Sequence, residues 1–257
     1  MSFNLRFASP DPPNAWPDRL PVMTALLRRE MPDLIGTQEG YFSQLRDLEA
    51  GLPEYRWIGT GRDGGSRGEF MAIFYRPERF EPQEFDHFWL SDTPETVGSA
   101  TWGNSNRRMV TWVRFRLRGT DTEFVFANTH FDFADPFHTN AGNLVLSRLR
   151  VFPPELPVLL VGDFNAAAEA PGLYSLLTGE EAFRDAYREA SVREGPQGIA
   201  TAHGYRSPHP GNRIDWILLR GPVTARSAAI LTDCGEDGQY PSDHFPVTAR
   251  LDLSASA

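Results

Sequence analysis

The chain has 257 residues, 40% hydrophobic and 23% charged, as in a folded globular protein and unlike a disordered chain. Its net charge of −9 argues against a broad surface for nucleic-acid backbone, because such binding relies on many cations displacing counterions. All 25 basic residues are arginine and Cys234 is the only cysteine. These counts exclude a P-loop lysine, Schiff-base chemistry, an internal disulfide and a thiolate-rich zinc site.

In chain order, Ser2 to Phe7 reads as a strand, and Pro17 opens a helix carrying Leu20, Met23, Leu26 and Leu27 at helical spacing until Pro32. Asp33 to Glu39 returns as a strand. A short helix around Phe42, Leu45 and Leu48 stops near Gly51. Tyr55 to Thr60 and Phe70 to Tyr75 look like a hairpin with a long glycine-rich loop. Phe85 to Arg107 is the longest stretch without a period, and loops of that length are usually functional or mobile.

Alternation from Met109 to Leu117 marks a half-buried strand, paired through a turn at Gly119 to Asp121 with Glu123 to Asn128. A helix near Leu144 to Leu149 precedes Pro157 to Val161, an apolar run suited to a central strand buried on both faces. Helical segments follow within Pro171 to Thr178 and Ala182 to Ala190. Strands at Ile214 to Leu219, Ala225 to Leu231 and Phe245 to Leu253 close the chain. With no linker, repeat or composition break, residues 1–257 read as a single domain. No apolar run approaches the ~20 residues of a membrane span. Met1 leads into a strand rather than a signal region, so the expected location is cytoplasmic.

One motif is a decoy. Gly59-Thr60-Gly61-Arg62-Asp63-Gly64 satisfies G-x-G-x-x-G, but a strand follows where a dinucleotide site needs a helix N-terminus. A G-x-S-x-G elbow and an H-E-x-x-H pair are both missing. The stronger signal is a set of polar residues where apolar runs end: Asn4, Glu39, His130, Asp132, Asp163, Asn165, Asp215 and the pair Asp243-His244. Singly, each reads as a cap, a turn residue or a satisfied core histidine. Together they imply a shared ligand, because an unpartnered buried carboxylate costs several kcal/mol, on the order of a whole side chain's burial. Oxygen donors without thiolates suit a hard cation, Mg2+ or Mn2+.

The segments Ser2-Phe3-Asn4-Leu5-Arg6, Thr37-Gln38-Glu39, Asn128-Thr129-His130-Phe131-Asp132, Gly162-Asp163-Phe164-Asn165, Arg213-Ile214-Asp215 and Ser242-Asp243-His244-Phe245-Pro246-Val247 resemble the ordered motifs of the endonuclease/exonuclease/phosphatase superfamily. Asn14-Ala15-Trp16-Pro17 and Gly68-Glu69-Phe70-Met71-Ala72-Ile73-Phe74-Tyr75 are similar to a bacterial branch of unassigned substrate. Between Phe137 and Asn143 the chain departs from that branch, which there carries an arginine and a Ser-Ala pair opening the helix. Relatives also tend to carry residues ahead of the first strand, so the resemblance leaves room for an upstream start.

The resemblance implies an α/β (α+β) fold, a four-layer α-β-β-α sandwich with two packed, mostly antiparallel β-sheets and a cleft along one edge. Carried over residue by residue, Glu39 holds the metal with Asn4 and Asp243, and Asp163 orients or deprotonates the attacking water. Asn165 and His130 hold phosphate oxygens, and His244, oriented by Asp215, serves the transition state. Arg108 is a candidate phosphate clamp and Asp132 a further substrate contact. Phe88, Trp89 and Trp102, in the aperiodic stretch, read either as core plugs or as an aromatic wall over the cleft.

The expected function is a Mg/Mn-dependent hydrolase of a compact phosphate ester, a phosphodiesterase or phosphatase. A nuclease acting on DNA or RNA is the alternative within enzymes. A non-catalytic phosphoester-binding or scaffold protein is the alternative outside them, and no member of the catalytic set is missing, as decay would require. The expected partner is the phosphate-ester substrate, with long duplex DNA disfavoured and the protein a monomer.

Overall fold

The computed structural model describes residues 1–253 apart from 134, 135 and 181. In chain order the elements are β1 (Ser2–Asn4), α1 (Trp16–Glu30), β2 (Leu34–Gln38), β3 (Gly40–Tyr41), α2 (Phe42–Gly51), β4 (Arg56–Ile58), β5 (Glu69–Phe70) and β6 (Ile73–Tyr75). There follow β7 (Phe80–Trp89), β8 (Met109–Leu117), β9 (Glu123–His130), α3 (Phe137–Leu149), β10 (Val158–Asp163) and α4 (Leu173–Leu177). The last are β11 (Arg184–Asp185), α5 (Ala186–Glu189), β12 (Val192–Glu194), β13 (Asp215–Arg220), β14 (Val223–Ile230) and β15 (Val247–Leu253).

One sheet runs β12-β14-β15-β1-β2-β6-β4, the other β11-β13-β10-β9-β8-β7, and β3 pairs with β5 in a small ribbon. Most pairings are antiparallel; β1–β2, β9–β10 and β12–β14 are parallel. Two of these parallel pairs are strand–helix–strand units, with α1 crossing between β1 and β2 and α3 between β9 and β10. Each crossover needs a helix to cover the outer face, and the sequence supplies apolar stripes for it. Met23, Leu26 and Leu27 of α1 pack with Leu45 and Leu48 of α2 on Phe3, Ile35 and Phe74. On the other sheet, Val145 and Leu149 of α3 and Leu173 and Leu177 of α4 cover Val125, Val158 and Leu160.

The two sheets face each other across a core of Leu34 and Ile73 from one and Val113, Phe126, Leu159 and Val161 from the other. Along β10, Val158 and Leu160 point to the helices while Leu159 and Val161 point to the opposite sheet, so every residue of the strand is buried. Close approach of the sheets requires glycine at position 36, where a Cβ would lie 2.3 Å from Val161 Cγ2. Asn128 enters that space. Its Nδ2 donates to Thr37 O (2.8 Å) and Ala72 O (2.9 Å), and its Oδ1 accepts from Gln38 Nε2 (2.7 Å). Each of these buried groups would cost ~1–3 kcal/mol if left unpaired, so the bonds hold the sheets in one register.

Several elements differ from the sequence expectation. Phe85 to Trp89 is not loop but the end of β7, an edge strand with four exposed residues and a register shift beside Pro82, so alternation is lost. The glycine-rich hairpin is real between β4 and β6, yet Glu69–Phe70 pairs with β3 instead. The helical segment expected within Ala182 to Ala190 is α5, kept short because Arg184–Asp185 adds to the edge of the second sheet beside β13. The helix expected near Leu144 starts at Phe137, and β12 has no apolar pattern to announce it, all three residues being exposed. No helix among the described residues is long and apolar enough to cross a membrane.

Candidate functional site

Parallel pairing brings strand C-termini to one end of each sheet: Asn4 lies opposite Gln38 and His130 opposite Asp163. Asp215, at the start of antiparallel β13, is also opposite Asp163. His244 precedes β15, which runs antiparallel to β1. The same edge of the packed sheets therefore collects residues far apart in sequence.

Asp163 is the hub. Its Oδ2 lies 2.9 Å from Asn4 Nδ2, 3.5 Å from His130 Nε2 and 3.8 Å from His244 Nε2, and its Oδ1 accepts from Asn165 N at 3.0 Å. Burial, reinforced by Asp215, pushes its carboxyl up to about 7. Asn4 also donates to Glu39 Oε1 (3.0 Å), and its own Oδ1 is taken by Arg6 N (2.9 Å). Asn4 thus turns its amide nitrogen to both carboxylates. The amide so links the two carboxylates.

His244 Nδ1 is 3.0 Å from Asp215 Oδ2. Burial pulls the imidazole pKa down, but the carboxylates of Asp215 and Asp163 outweigh it and raise it to about 10, so Nδ1–H donates to Asp215. The other oxygen of Asp215 is buried without a hydrogen-bond partner. His130 is the opposite case. Burial, then the charge of Arg108, holds it well below its usual pKa and therefore neutral. Arg108 Nη1 can only donate, so His130 Nδ1 accepts at 2.8 Å and the ring proton sits on Nε2, facing Asp163. Asn165 Nδ2 lies 3.1 Å from that Nε2 and donates to Phe131 O at 2.8 Å.

Backbone strain gathers here. Glu39 (φ 62°), Asn165 (φ 48°) and Arg6 (φ 54°) are non-glycine residues in the left-handed region, each about 1–3 kcal/mol of local cost that the surrounding packing must hold. Among the described residues, two sets place ligand atoms within 4.8 Å of one another: Glu39, His130 and Asp163, and Asp163, Asp215 and His244. The second is closed on itself by the His244–Asp215 hydrogen bond. In the first, His130 presents a proton, which leaves the oxygens of Glu39 and Asp163 as the donors able to hold a cation.

Asp243, expected beside Glu39 as a ligand, belongs to neither set. It is joined to Glu39 through Arg6, whose guanidinium is 3.6 Å from Asp243 Oδ2 and 3.7 Å from Glu39 Oε2. Arg108 is only 3% exposed, and its Nη1 lies behind His130, donating to Nδ1. Asp132 is an anchor for the loop after β7. It accepts from Ser105 N (2.7 Å), Asn106 N (3.2 Å) and Asn106 Nδ2 (3.2 Å). Trp89 is buried with Met71 and Met109 and donates to Arg62 O, and Trp102 packs edge-on against Phe137 while donating to Asp92. Trp89 is thus buried, and Trp102 is partly buried.

Sequence reasoning missed Arg6, Arg19, Arg62 and Glu69. Arg19 is fully buried, and its five N–H groups donate to five carbonyls: Leu5, Arg6, Phe7, Asn14 and Pro241. It thereby ties the segment after Asn4 to the one before Asp243. Arg62, from the decoy glycine loop, pairs with Glu69 (2.6 Å), which lies 3.7 Å from Arg108. The only sequence signal for Arg6 and Glu69 was their place inside the motifs, and Arg19 and Arg62 carried none.

The model of the Endonuclease/Exonuclease/phosphatase family matches residues 1–244. An endonuclease/exonuclease/phosphatase of Bacteroides vulgatus superposes with a TM-score of 0.92 at 31% identity, covering 98% of this chain and 97% of that one. A mannosyl-6-phosphatase of Bacteroides thetaiotaomicron superposes at 0.90 and 32% identity, covering 98% of each. Nocturnin of Drosophila melanogaster is 24% identical over 199 residues, which are 72% of this chain but 29% of nocturnin.

Proposed function

The chain belongs to the endonuclease/exonuclease/phosphatase family, and from that premise we propose that it is a divalent-metal-dependent hydrolase of compact phosphate esters. The observation that carries the reading is the Asp163 hub. A carboxylate raised to about 7, contacted by Asn4 and flanked by a neutral and a charged histidine, is equipped to take a proton from water near neutral pH.

In this reading Asp163 orients and deprotonates the attacking water. His130, through Nε2–H, and Asn165, through its amide, hold non-bridging phosphoryl oxygens. Arg108 fixes the tautomer of His130 from behind. His244, kept protonated by Asp215, stabilises charge on the phosphoryl group or gives its Nε2 proton to the departing oxygen. Glu39 and Asp163 fit a hard cation of the Mg2+ or Mn2+ class, which would supply charge neutralisation at the phosphoryl group.

Substrate size is read from charge and relatives. The chain is acidic, with net charge −9, and the relative of 32% identity is a mannosyl-6-phosphatase, which together favour a small phosphomonoester such as a sugar 6-phosphate. The test is a screen of phosphomonoesters, phosphodiesters and nucleic acids with Mg2+ or Mn2+. Turnover of a small ester that chelator abolishes is the expected result. Salt-sensitive cleavage of duplex DNA with no small-ester turnover would replace this reading with a nuclease.

A further inference from the structure

Arg6, Arg19 and Arg108 all lie at the site, and their hydrogen bonds assign them different work. Arg19 has every N–H satisfied by a main-chain carbonyl and cannot turn to a ligand. Arg108 is buried and bound to His130. The side chain of Arg6 is different: it is 37% exposed, and none of its five N–H groups hydrogen-bonds to a described residue. Its contacts with Glu39 and Asp243, at 3.7 and 3.6 Å, are Coulombic and too long for hydrogen bonds.

The backbone at Arg6 is nevertheless held on all sides. Its N–H donates to Asn4 Oδ1, its carbonyl accepts from Arg19 Nη2 (3.1 Å) and Gln44 Nε2 (3.0 Å), and its φ of 54° sets the direction of the side chain. The guanidinium then rests 4.2 Å over the Phe7 ring, between two carboxylates. Exposure falls from this side chain (37%) through Glu39 (13%) to Asp163 (2%), so Arg6 is the cation on the open side of the hub.

We propose that Arg6 is the cation that binds the substrate's phosphoryl oxygens, resting between Glu39 and Asp243 in the free protein and passing to the phosphoryl group when a divalent cation takes up Glu39. This rests on the phosphoesterase reading above. The planar guanidinium matches two phosphoryl oxygens at once, which its present carboxylate contacts do not exploit. The two contacts it gives up are 3.6 and 3.7 Å long and carry no hydrogen bond, so they are weaker than the charge-assisted pair of bonds a phosphoryl group accepts. A cation arriving at Glu39 also repels Arg6, which drives the exchange.

Two shifts of opposite sign follow, both measurable by calorimetric titration without turnover. Arg6→Gln should bind Mn2+ about 3- to 10-fold more tightly than the wild type, because a positive charge beside the ligand carboxylates is gone. With Mn2+ present it should bind inorganic phosphate about 10-fold or more weakly. Arg6→Lys keeps the charge without the fork, so its Mn2+ affinity should stay near wild type while phosphate binding weakens about 3-fold or more. If Arg6→Gln loses its circular-dichroism signal, Arg6→Lys decides the matter, and wild-type phosphate affinity there overturns the proposal. Unchanged phosphate affinity in Arg6→Gln, or unchanged or weaker Mn2+ affinity, overturns it equally. Failure of the functional reading looks different: the wild type itself would take up Mn2+ but no phosphate and would turn over no phosphoester, and the proposal would fall with it.

Discussion

Asn4 Nδ2 lies 2.9 Å from Asp163 Oδ2, so one hydrogen bond joins the end of a strand in the first sheet to the end of a strand in the second. The same nitrogen reaches Glu39 Oε1 at 3.0 Å, which sets the spacing of the two carboxylates. Asn4→Ala should leave both without that donor. Activity should fall roughly 10- to 100-fold and stability by about 1–3 kcal/mol, read from kcat/KM and from thermal unfolding. Wild-type kcat/KM would show that the bond does not organise the site.

Asp163→Asn and His244→Ala each remove a group assigned to proton transfer or charge stabilisation. Each should lower kcat by about two orders of magnitude or more while circular dichroism stays native. A variant retaining wild-type kcat would remove that residue from the mechanism.

The pH profile of kcat/KM should be bell-shaped. Asp163 must be ionised, which places the acidic limb no higher than about 7, since a cation held nearby lowers it further. His244 must be protonated; its charged form persists through neutrality and is lost as pH rises through about 10. Asp215 raises both groups, so Asp215→Asn should move both limbs to lower pH. An alkaline limb that stays in place would mean that Asp215 does not sustain the imidazolium.

Arg19→Lys should be costly although the charge is kept. Three ammonium donors cannot serve five carbonyls presented to a planar fork, and the side chain is fully buried. The expected loss is about 3 kcal/mol, a fall in Tm of roughly 6–12 °C for a domain of this size. A Tm within about 2 °C of wild type would show that the clamp tolerates a point charge.

Much of the frame was legible without coordinates. Pro157 to Val161 reads as a doubly buried strand because all of its side chains are apolar, and α1 announces itself by spacing and by Pro17. The polar residues ending those runs, Asp163 and Glu39 among them, stand out because nothing local satisfies a carboxylate at the end of a buried strand. Their convergence is a matter of topology, since parallel pairing in each sheet decides that Asn4, Glu39, His130 and Asp163 share one edge.

What the chain could not disclose is how identical side chains divide their labour. Arg6, Arg19 and Arg108 are the same residue type, two of them within the first twenty positions. The orientation of Asn4, the burial of Trp89 and the anchoring of the loop by Asp132 were equally invisible. Hydrophobic periodicity reports which face of an element leaves water, a property of neighbours a few residues away. Whether a guanidinium meets five carbonyls, a histidine or open solvent depends on segments as distant as Leu5 and Pro241, and only their packing in three dimensions decides it.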